Sequence, residues 1–190
     1  VCYAGAARCN DVLATMALAS DITADKQALI TAQVRFLRAF YHFELKKIFN
    51  NIPYADETLA PENVDNTVDA WPKIEADLTA AIGGLPDTWP GEPGRANVWA
   101  AKALLAKVYM FEHKYTDAYP VLQDVIANGK TAGGAAYALN DHFYSNFNPA
   151  QKNSAESVFA AQTSVLDNSS VDWGGDPNGN YGDILNFPYT

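Results

Sequence analysis

Residues 94–129 read GRANVWAAKALLAKVYMFEHKYTDAYPVLQDVIANG, and this stretch decides the fold of the chain. Apolar side chains recur in it every three or four residues, on both sides of a polar break at residues 112–114. That spacing is typical of amphipathic helices. The break contains no glycine or proline and is too short for a long loop. The stretch therefore predicts two helices, 96–113 and 115–128, that fold back on each other.

The predicted hairpin resembles one tetratricopeptide-type unit. Ala103, Ala106 and Ala118 are small residues placed where two packed helices approach closely. The residues at the packing positions of such a unit are Leu105, Ala106, Tyr109, Tyr115, Ala118, Leu122 and Val125. The Trp and the late Pro of that motif are not at their consensus positions, so the resemblance is partial.

Three more helices are predicted before the hairpin, over about residues 1–20, 23–49 and 68–83. Thr23 is expected to cap the second helix and Thr67 the third. The basic residues of the second helix, including Arg35 and Arg38, favour its C-terminal half, which suits the helix dipole. Alternating helices without strands predict a mainly all-α protein, either an α-solenoid or a helix bundle.

The character of the sequence changes after Gly129. Residues 130–190 are rich in Gly, Asn, Asp and Pro, and they predict long irregular loops. Residues 157–163 are a candidate for a short strand. We interpret residues 1–190 as one domain, with a helical scaffold over 1–129 and a loop-rich segment over 130–190.

Composition excludes several functional classes. A net charge of -9 and the lack of Lys and Arg clusters argue against nucleic-acid binding. No apolar run approaches the roughly 20 residues of a membrane span. Cys2 and Cys9 are seven residues apart on one predicted helix, which is too far for a mutual disulfide. The chain has no basic leader and stops within a loop, so we expect it to be a fragment of a longer protein.

Five stretches, in this order, resemble the SusD/RagB-type outer-membrane nutrient-binding lipoproteins. They are YAGAARCNDVL (3–13), QVRFLRAFYHFELKKIFNNIPY (33–54), WPKIEADLTAAIGGLP (71–86), the hairpin at 94–129, and ESVFAAQTS (156–164). The resemblance implies a tetratricopeptide-rich scaffold whose loops bind glycans at the cell surface, without enzymatic activity and without a cofactor. It also implies a SusC-like TonB-dependent transporter as partner. Membrane attachment would occur only through a lipid anchor that this chain does not include.

The candidate glycan site lies in the C-terminal loop. Sugar recognition uses flat aromatic faces together with Asp, Asn or Gln side chains that bond to hydroxyls. The densest mixture of this kind contains Asp172, Trp173, Asp176, Asn178 and Tyr181. The alternative for Trp173 is a structural role, anchoring its loop to the scaffold.

Other aromatic residues are weaker candidates. Trp89 and Tyr54 are second-tier sugar contacts, and packing over helix ends is the preferred interpretation of both. Trp71 and Trp99 fall on helical stripes, which predicts core packing.

Metal and catalytic chemistry find little support. Asp176, Asn178 and Asn180 match the start of an EF-hand loop, but Tyr181 replaces its Gly and Phe187 its Glu, so no metal site is predicted. The three histidines, His42, His113 and His142, lack metal-ligand spacing and are interpreted as structural or surface residues.

Two alternatives to glycan binding remain. A glycosidase could use two of the loop carboxylates, Asp167, Asp172 and Asp176, although spacing in a loop does not establish the separation that hydrolysis requires. A peptide- or protein-binding helical-repeat adaptor would instead use the concave surface of the helices.

Overall fold

The computed structural model describes residues 2–58 and 64–162. Within these ranges the helices are α1 (Cys2–Leu18), α2 (Ala24–Phe49), α3 (Trp71–Gly84), α4 (Val98–Phe111) and α5 (Tyr115–Asn128). Two 3-10 turns follow, over Phe143–Phe147 and Pro149–Gln151. The β-pairing found in the described residues is a single bridge between Lys130 and Ala136. The predicted all-α fold is confirmed.

Each helix packs mainly on the next one in the chain, from α1 on α2 through to α4 on α5. The main core lies between α2, α3 and α4. Its largest fully buried apolar residues are Phe36, Phe43, Ile74, Leu78 and Val108. Burial of each such side chain contributes about 1.5–3 kcal/mol. This neighbour-on-neighbour packing is the arrangement that tetratricopeptide-like hairpins predict.

The boundaries of α2 follow from local residues. Thr23 caps its start by accepting a hydrogen bond from the backbone N–H of Lys26, at 3.4 Å, as predicted. At its end Asn50 takes a positive φ of 57°, a conformation that a short polar side chain tolerates. The chain then leaves the helix through Ile52 and Pro53.

The predicted cap of α3 is wrong. Thr67 lies four residues before the first residue of the helix, Trp71, and both its N–H and its hydroxyl donate to the carboxylate of Asp65. This turn occupies the Thr67 side chain within the loop. The carboxylate of Asp69 instead accepts from the N–H of Trp71, at 3.3 Å. The helix ends at Gly84, one residue after its predicted end.

The α4–α5 hairpin forms as predicted, and α5 has the predicted bounds. His113 supplies the reversal with a φ of 60°. Ala106 and Ala118 are buried where the two helices meet. Asn97 caps α4 through its Oδ1 and donates from Nδ2 to the carbonyl of Lys130, which ties the chain after α5 to the start of α4.

The strand prediction for 157–163 is wrong over residues 157–162, which are irregular; residue 163 lies outside the described ranges. The reason is tertiary. Phe159 packs edge-on against Phe36 of α2, with ring centroids 4.9 Å apart, and against Phe40 at 5.7 Å. Its apolar side chain is therefore accommodated by a helix and not by a neighbouring strand.

Cys9 is buried, Cys2 is half-buried, and both are free thiols, as expected from their spacing. Burial raises the pKa of Cys9 to about 11. None of the described helices combines the length and apolarity needed to cross a lipid bilayer. The division into a scaffold over 1–129 and a loop-rich segment over 130–190 stays a prediction.

Candidate functional site

The predicted sugar-binding loop lies outside the described residues. This applies to all of its members, which are Asp172, Trp173, Asp176, Asn178 and Tyr181. Their role in binding therefore stays a prediction.

The weaker aromatic candidates, Trp89 and Tyr54, pack within the structure, as do the predicted core residues Trp71 and Trp99. Tyr54 is 6% exposed and Trp99 is 8% exposed, whereas Trp71 is half-buried against the main core. The indole N–H of Trp89 donates to a backbone carbonyl 2.7 Å away, and the guanidinium of Arg95 lies 3.9 Å above its ring. Arg95 therefore covers one face of the Trp89 ring, and the other three rings are buried or half-buried in the core.

The structure reveals a groove that the sequence did not indicate. It lies between one face of α1 and the connection that follows α2, and its volume is about 420 Å³. The residues that line it include Tyr3, Asn10 and Asp11 from α1 and Pro53, Asp56 and Glu57 from the connection. Tyr3 is the aromatic residue in this set, and it is 39% exposed.

Two side chains of α1 hold the opposite wall of the groove in place. The hydroxyl of Tyr3 donates to the carbonyl of Pro53 at 3.0 Å. The amide nitrogen of Asn10 donates to the carbonyl of Ala55 at 3.1 Å. The backbone of the connection is therefore bound to α1 at Pro53 and at Ala55. Asp56 and Glu57, which line the groove, follow these two anchored residues directly.

A buried ion pair supports the groove from behind. Arg38 of α2 is 3% exposed, and its Nε and Nη2 donate to the two carboxylate oxygens of Asp77 of α3, at 2.6 and 2.8 Å. Its Nη1 donates to Oδ1 of Asn10 at 2.9 Å and also to the carboxylate of Glu57. One guanidinium thus joins α1, α2, α3 and the connection. Arg38 therefore acts by connecting these four elements, and not by interacting with the dipole of α2 as the sequence suggested.

Tyr54 and His42 complete the buried layer. The hydroxyl of Tyr54 donates to Asp77, and its ring stacks on His42 with centroids 4.1 Å apart. Nδ1 of His42 donates to the carbonyl of Arg38 at 2.9 Å, while Nε2 has no partner among the described residues. Burial lowers the pKa of His42 to about 4, so the ring is neutral at pH 7. His42 is structural, as expected, and His113 and His142 are exposed.

The carboxylates of the connection are ionised at neutral pH. Burial opposes the charge of Asp56, but hydrogen bonds from Thr58 and from Lys73, at 3.0 Å, lower its pKa to about 2. Burial likewise opposes the charge of Glu57, and its hydrogen bond with Arg38 lowers its pKa. Asp11 is exposed on the α1 side. The groove therefore combines one aromatic face with several hydrogen-bond acceptors.

Metal chemistry finds no site in the part of the chain that the structure describes. No group of three or more His, Cys, Asp and Glu residues there could hold a metal ion. The paired carboxylates and the aromatic ring of the groove instead match the requirements of a site that binds a polar organic ligand.

The described residues thus form a scaffold of helical hairpins with a groove along α1. Residues 1–110 match the model of the SusD-like family, which is described as starch-binding and associating with the outer membrane. The chain belongs to the SusD-like family.

Similar proteins agree with this assignment. The chain is 31% identical to SusD-like protein P2 of Formosa agariphila over 134 residues, which are 66% of the chain and 26% of that protein. Among solved structures it resembles a laminarin-binding SusD-like protein, with 33% identity and a TM-score of 0.73 over 83% of the chain and 35% of that protein.

It also resembles surface glycan-binding protein A from Bacteroides thetaiotaomicron in complex with laminarihexaose. The identity is 27% and the TM-score 0.77, over 91% of the chain and 36% of that protein. The chain therefore spans about a third of these solved relatives and about a quarter of the curated one.

Proposed function

We propose that this chain is part of a non-catalytic protein that binds oligosaccharides at the bacterial cell surface. The observation that carries the proposal is the groove between α1 and the connection after α2, with Tyr3 on one side and the carboxylates of Asp56 and Glu57 on the other. Membership of the SusD-like family and the laminarin-binding relatives support it.

In the proposed complex, the apolar face of a sugar ring lies on the ring of Tyr3. Its hydroxyl groups donate to the carboxylates of Asp11, Asp56 and Glu57. Each hydroxyl exchanges a bond to water for a bond to the protein, so each contact contributes little and the affinity is modest. The loop with Trp173 and Tyr181 would provide further aromatic contacts.

The groove does not favour hydrolysis of the ligand. A glycosidase needs one carboxylic acid that stays protonated near neutral pH and can act as a general acid. The pKa values of Asp56 and Glu57 are both lowered, which leaves these two groups ionised at pH 7. In the proposed function the bound oligosaccharide passes intact to a SusC-like TonB-dependent transporter in the outer membrane, and a lipid anchor attaches the protein to that membrane.

Calorimetric titration with laminarihexaose tests the proposal. Tyr3→Ala should weaken binding by about tenfold, since stacking on one aromatic ring is worth about 1–1.5 kcal/mol. Tyr3→Phe keeps the ring but loses the hydrogen bond to Pro53, so it should retain most of the affinity. Tyr119→Ala removes an exposed tyrosine of α5, outside the groove, and serves as the matched control. Equal affinities for Tyr3→Ala and Tyr119→Ala would contradict the assignment of the groove.

The adaptor alternative has one observation in its favour. Tyr115, Tyr119 and Ile126 of α5 are 60%, 62% and 78% exposed, and α5 packs on α4 alone among the described helices. Under this alternative, Tyr119→Ala and not Tyr3→Ala would weaken binding, and the ligand would be an apolar peptide. Titration of both variants with both ligand types separates the two functions.

A further inference from the structure

We propose that the groove selects uncharged, hydroxyl-rich glycans and discriminates against sulfated or uronic ones. This inference rests on the proposed function, because it concerns the ligand class of the same groove. It follows from three features of the groove: the charge of its lining, the pairing of the cations behind it, and the direction of the hydrogen bonds that it offers.

The lining is acidic. Asp11 stands on the α1 wall, and Asp56 and Glu57 stand on the opposite wall. No Lys or Arg is among the described residues that line the groove. The sequence as a whole carries a net charge of -9, which adds a general repulsion of anions to the charge of the lining. An anionic substituent on the ligand would therefore meet charges of its own sign on both walls.

The nearby cations are already paired. The guanidinium of Arg38 is directed at Asp77, Asn10 and Glu57, and it is 3% exposed. The ammonium of Lys73 lies 3.0 Å from the carboxylate of Asp56. Arg35 lies 3.8 Å from the carboxylate of Glu57 and 2.9 Å from that of Asp77. A ligand sulfate could bind any of these three cations only in competition with a protein carboxylate. Displacement of that carboxylate would leave it ionised and without its partner, which is costly for the largely buried pair of Arg38.

The hydrogen-bonding capacity of the groove also favours uncharged glycans over anionic ones. Ionised carboxylates accept hydrogen bonds and donate none. Lowered pKa values keep Asp56 and Glu57 in this form at neutral pH. The potential donors on the α1 wall are largely engaged, because Tyr3 donates to Pro53 and Asn10 donates to Ala55. A sugar hydroxyl can donate to such a surface, whereas a sulfate or a carboxylate group has no hydrogen to offer.

Two ligands with one backbone test this inference: laminarihexaose and its sulfated derivative, titrated into the chain at 20 mM and at 500 mM NaCl. We expect the sulfated hexasaccharide to bind at least about tenfold more weakly at low salt. The difference should shrink at high salt, where the screening length falls to about 4 Å. Asp11→Asn should reduce the ratio of the dissociation constants for the sulfated and the neutral ligand by about threefold, because it removes one of the repelling charges. Asp141→Asn makes the same change of charge at an exposed residue outside the groove and should leave the ratio unchanged.

The outcomes separate this inference from the proposed function. If the sulfated ligand binds as tightly as the neutral one, or more tightly, glycan binding stands and the selectivity is overturned. If Asp11→Asn and Asp141→Asn change the ratio equally, the discrimination comes from the net charge of the chain, and its assignment to the groove is overturned. If neither ligand binds, the proposed function fails and this inference fails with it.

Discussion

Arg38 of α2 and Asp77 of α3 form a bidentate ion pair, with Nε 2.6 Å from one carboxylate oxygen and Nη2 2.8 Å from the other. The two side chains are 4% and 3% exposed. Such a pair adds little net stability over an apolar contact, because both charges lose their hydration. Its geometry is specific, however, and through Asn10 and Glu57 it relates both walls of the groove to the core.

Removal of one partner should be far more damaging than the pair is stabilising. Asp77→Ala leaves the guanidinium of Arg38 buried without its main counter-charge, and we expect a loss of about 3 kcal/mol in the free energy of unfolding. Urea denaturation followed by circular dichroism measures it. Glu92→Ala breaks an exposed pair with Arg95 and should cost less than about 1 kcal/mol. If the two variants lose the same free energy of unfolding, the buried ion pair is no more important for stability than an exposed one, and the prediction is wrong.

His42 should make stability fall in mild acid. The pKa of the unfolded histidine is near 6.5 and burial lowers the folded value to about 4, so the unfolded chain takes up the proton first. This contribution to stability is complete above pH 6.5 and is lost as the pH falls towards 4, by up to about 3 kcal/mol. His42→Gln should flatten the dependence of the urea midpoint on pH. The exposed His113→Gln is the control, and an unchanged slope in His42→Gln would refute the prediction.

Glu112 should have the opposite effect on the pH dependence of stability. Burial and the neighbouring Glu75 raise the pKa of Glu112 to about 7, above the ordinary 4.5, so the folded protein binds a proton that the unfolded chain has released. Its contribution to stability is therefore present below pH 4.5 and is lost as the pH rises through 7. Glu112→Gln resembles the protonated form, and Lys114 keeps its bond to Glu75.

The midpoint of the Glu112→Gln variant, relative to the unmodified chain, should accordingly increase between pH 5 and pH 8. Glu92→Gln, at an exposed position, should show no such trend. Because the contributions of His42 and Glu112 oppose each other over the same pH range, each variant is compared with the unmodified chain at every pH. If the difference in urea midpoint between Glu112→Gln and the unmodified chain is the same at every pH, the pKa of Glu112 is not raised and the prediction is wrong.

Trp173 is a second residue whose replacement should weaken glycan binding without unfolding the scaffold. A tryptophan in a loop rich in Gly and Asp has no helical stripe to explain its burial, and binding residues concentrate on such loops. Retention on a laminarin affinity gel measures binding, and thermal unfolding measures the scaffold. Tyr144→Ala, which removes an aromatic residue that is exposed in the described part of the chain, is the control. Unchanged retention of Trp173→Ala would exclude this residue from the site.

Local sequence signals account for the helices. The bounds of α5 are those predicted, because a polar break precedes the helix and Gly129 follows it. The prediction failed where a contact outside the helical periodicity decided the outcome, either within a loop or between distant segments. Asp65 binds the Thr67 hydroxyl that would have capped α3, and α2 receives the Phe159 side chain that suggested a strand.

The groove was missed for the same reason. Its walls come from residues that are 45 to 50 positions apart in the contacts that join them, Asn10 with Ala55 and Tyr3 with Pro53, and no short motif connects them. One signal was available: Arg38 and Asp77 are charged residues within apolar helical patterns, and a buried charge requires a partner. That pairing would have placed α2 against α3, although it would not have revealed the groove in front of them.

The order of residues was enough to determine five helices, a hairpin of tetratricopeptide type and the family, because periodicity and helix termini are local properties. Only the tertiary structure decided which aromatic residues are available for binding. Tyr54 is 6% exposed, with its ring stacked on His42 and its hydroxyl bound to Asp77 of α3, whereas Tyr3 is 39% exposed at the edge of α1. Burial depends on contacts between distant segments, and the spacing of residues along the chain does not specify those contacts.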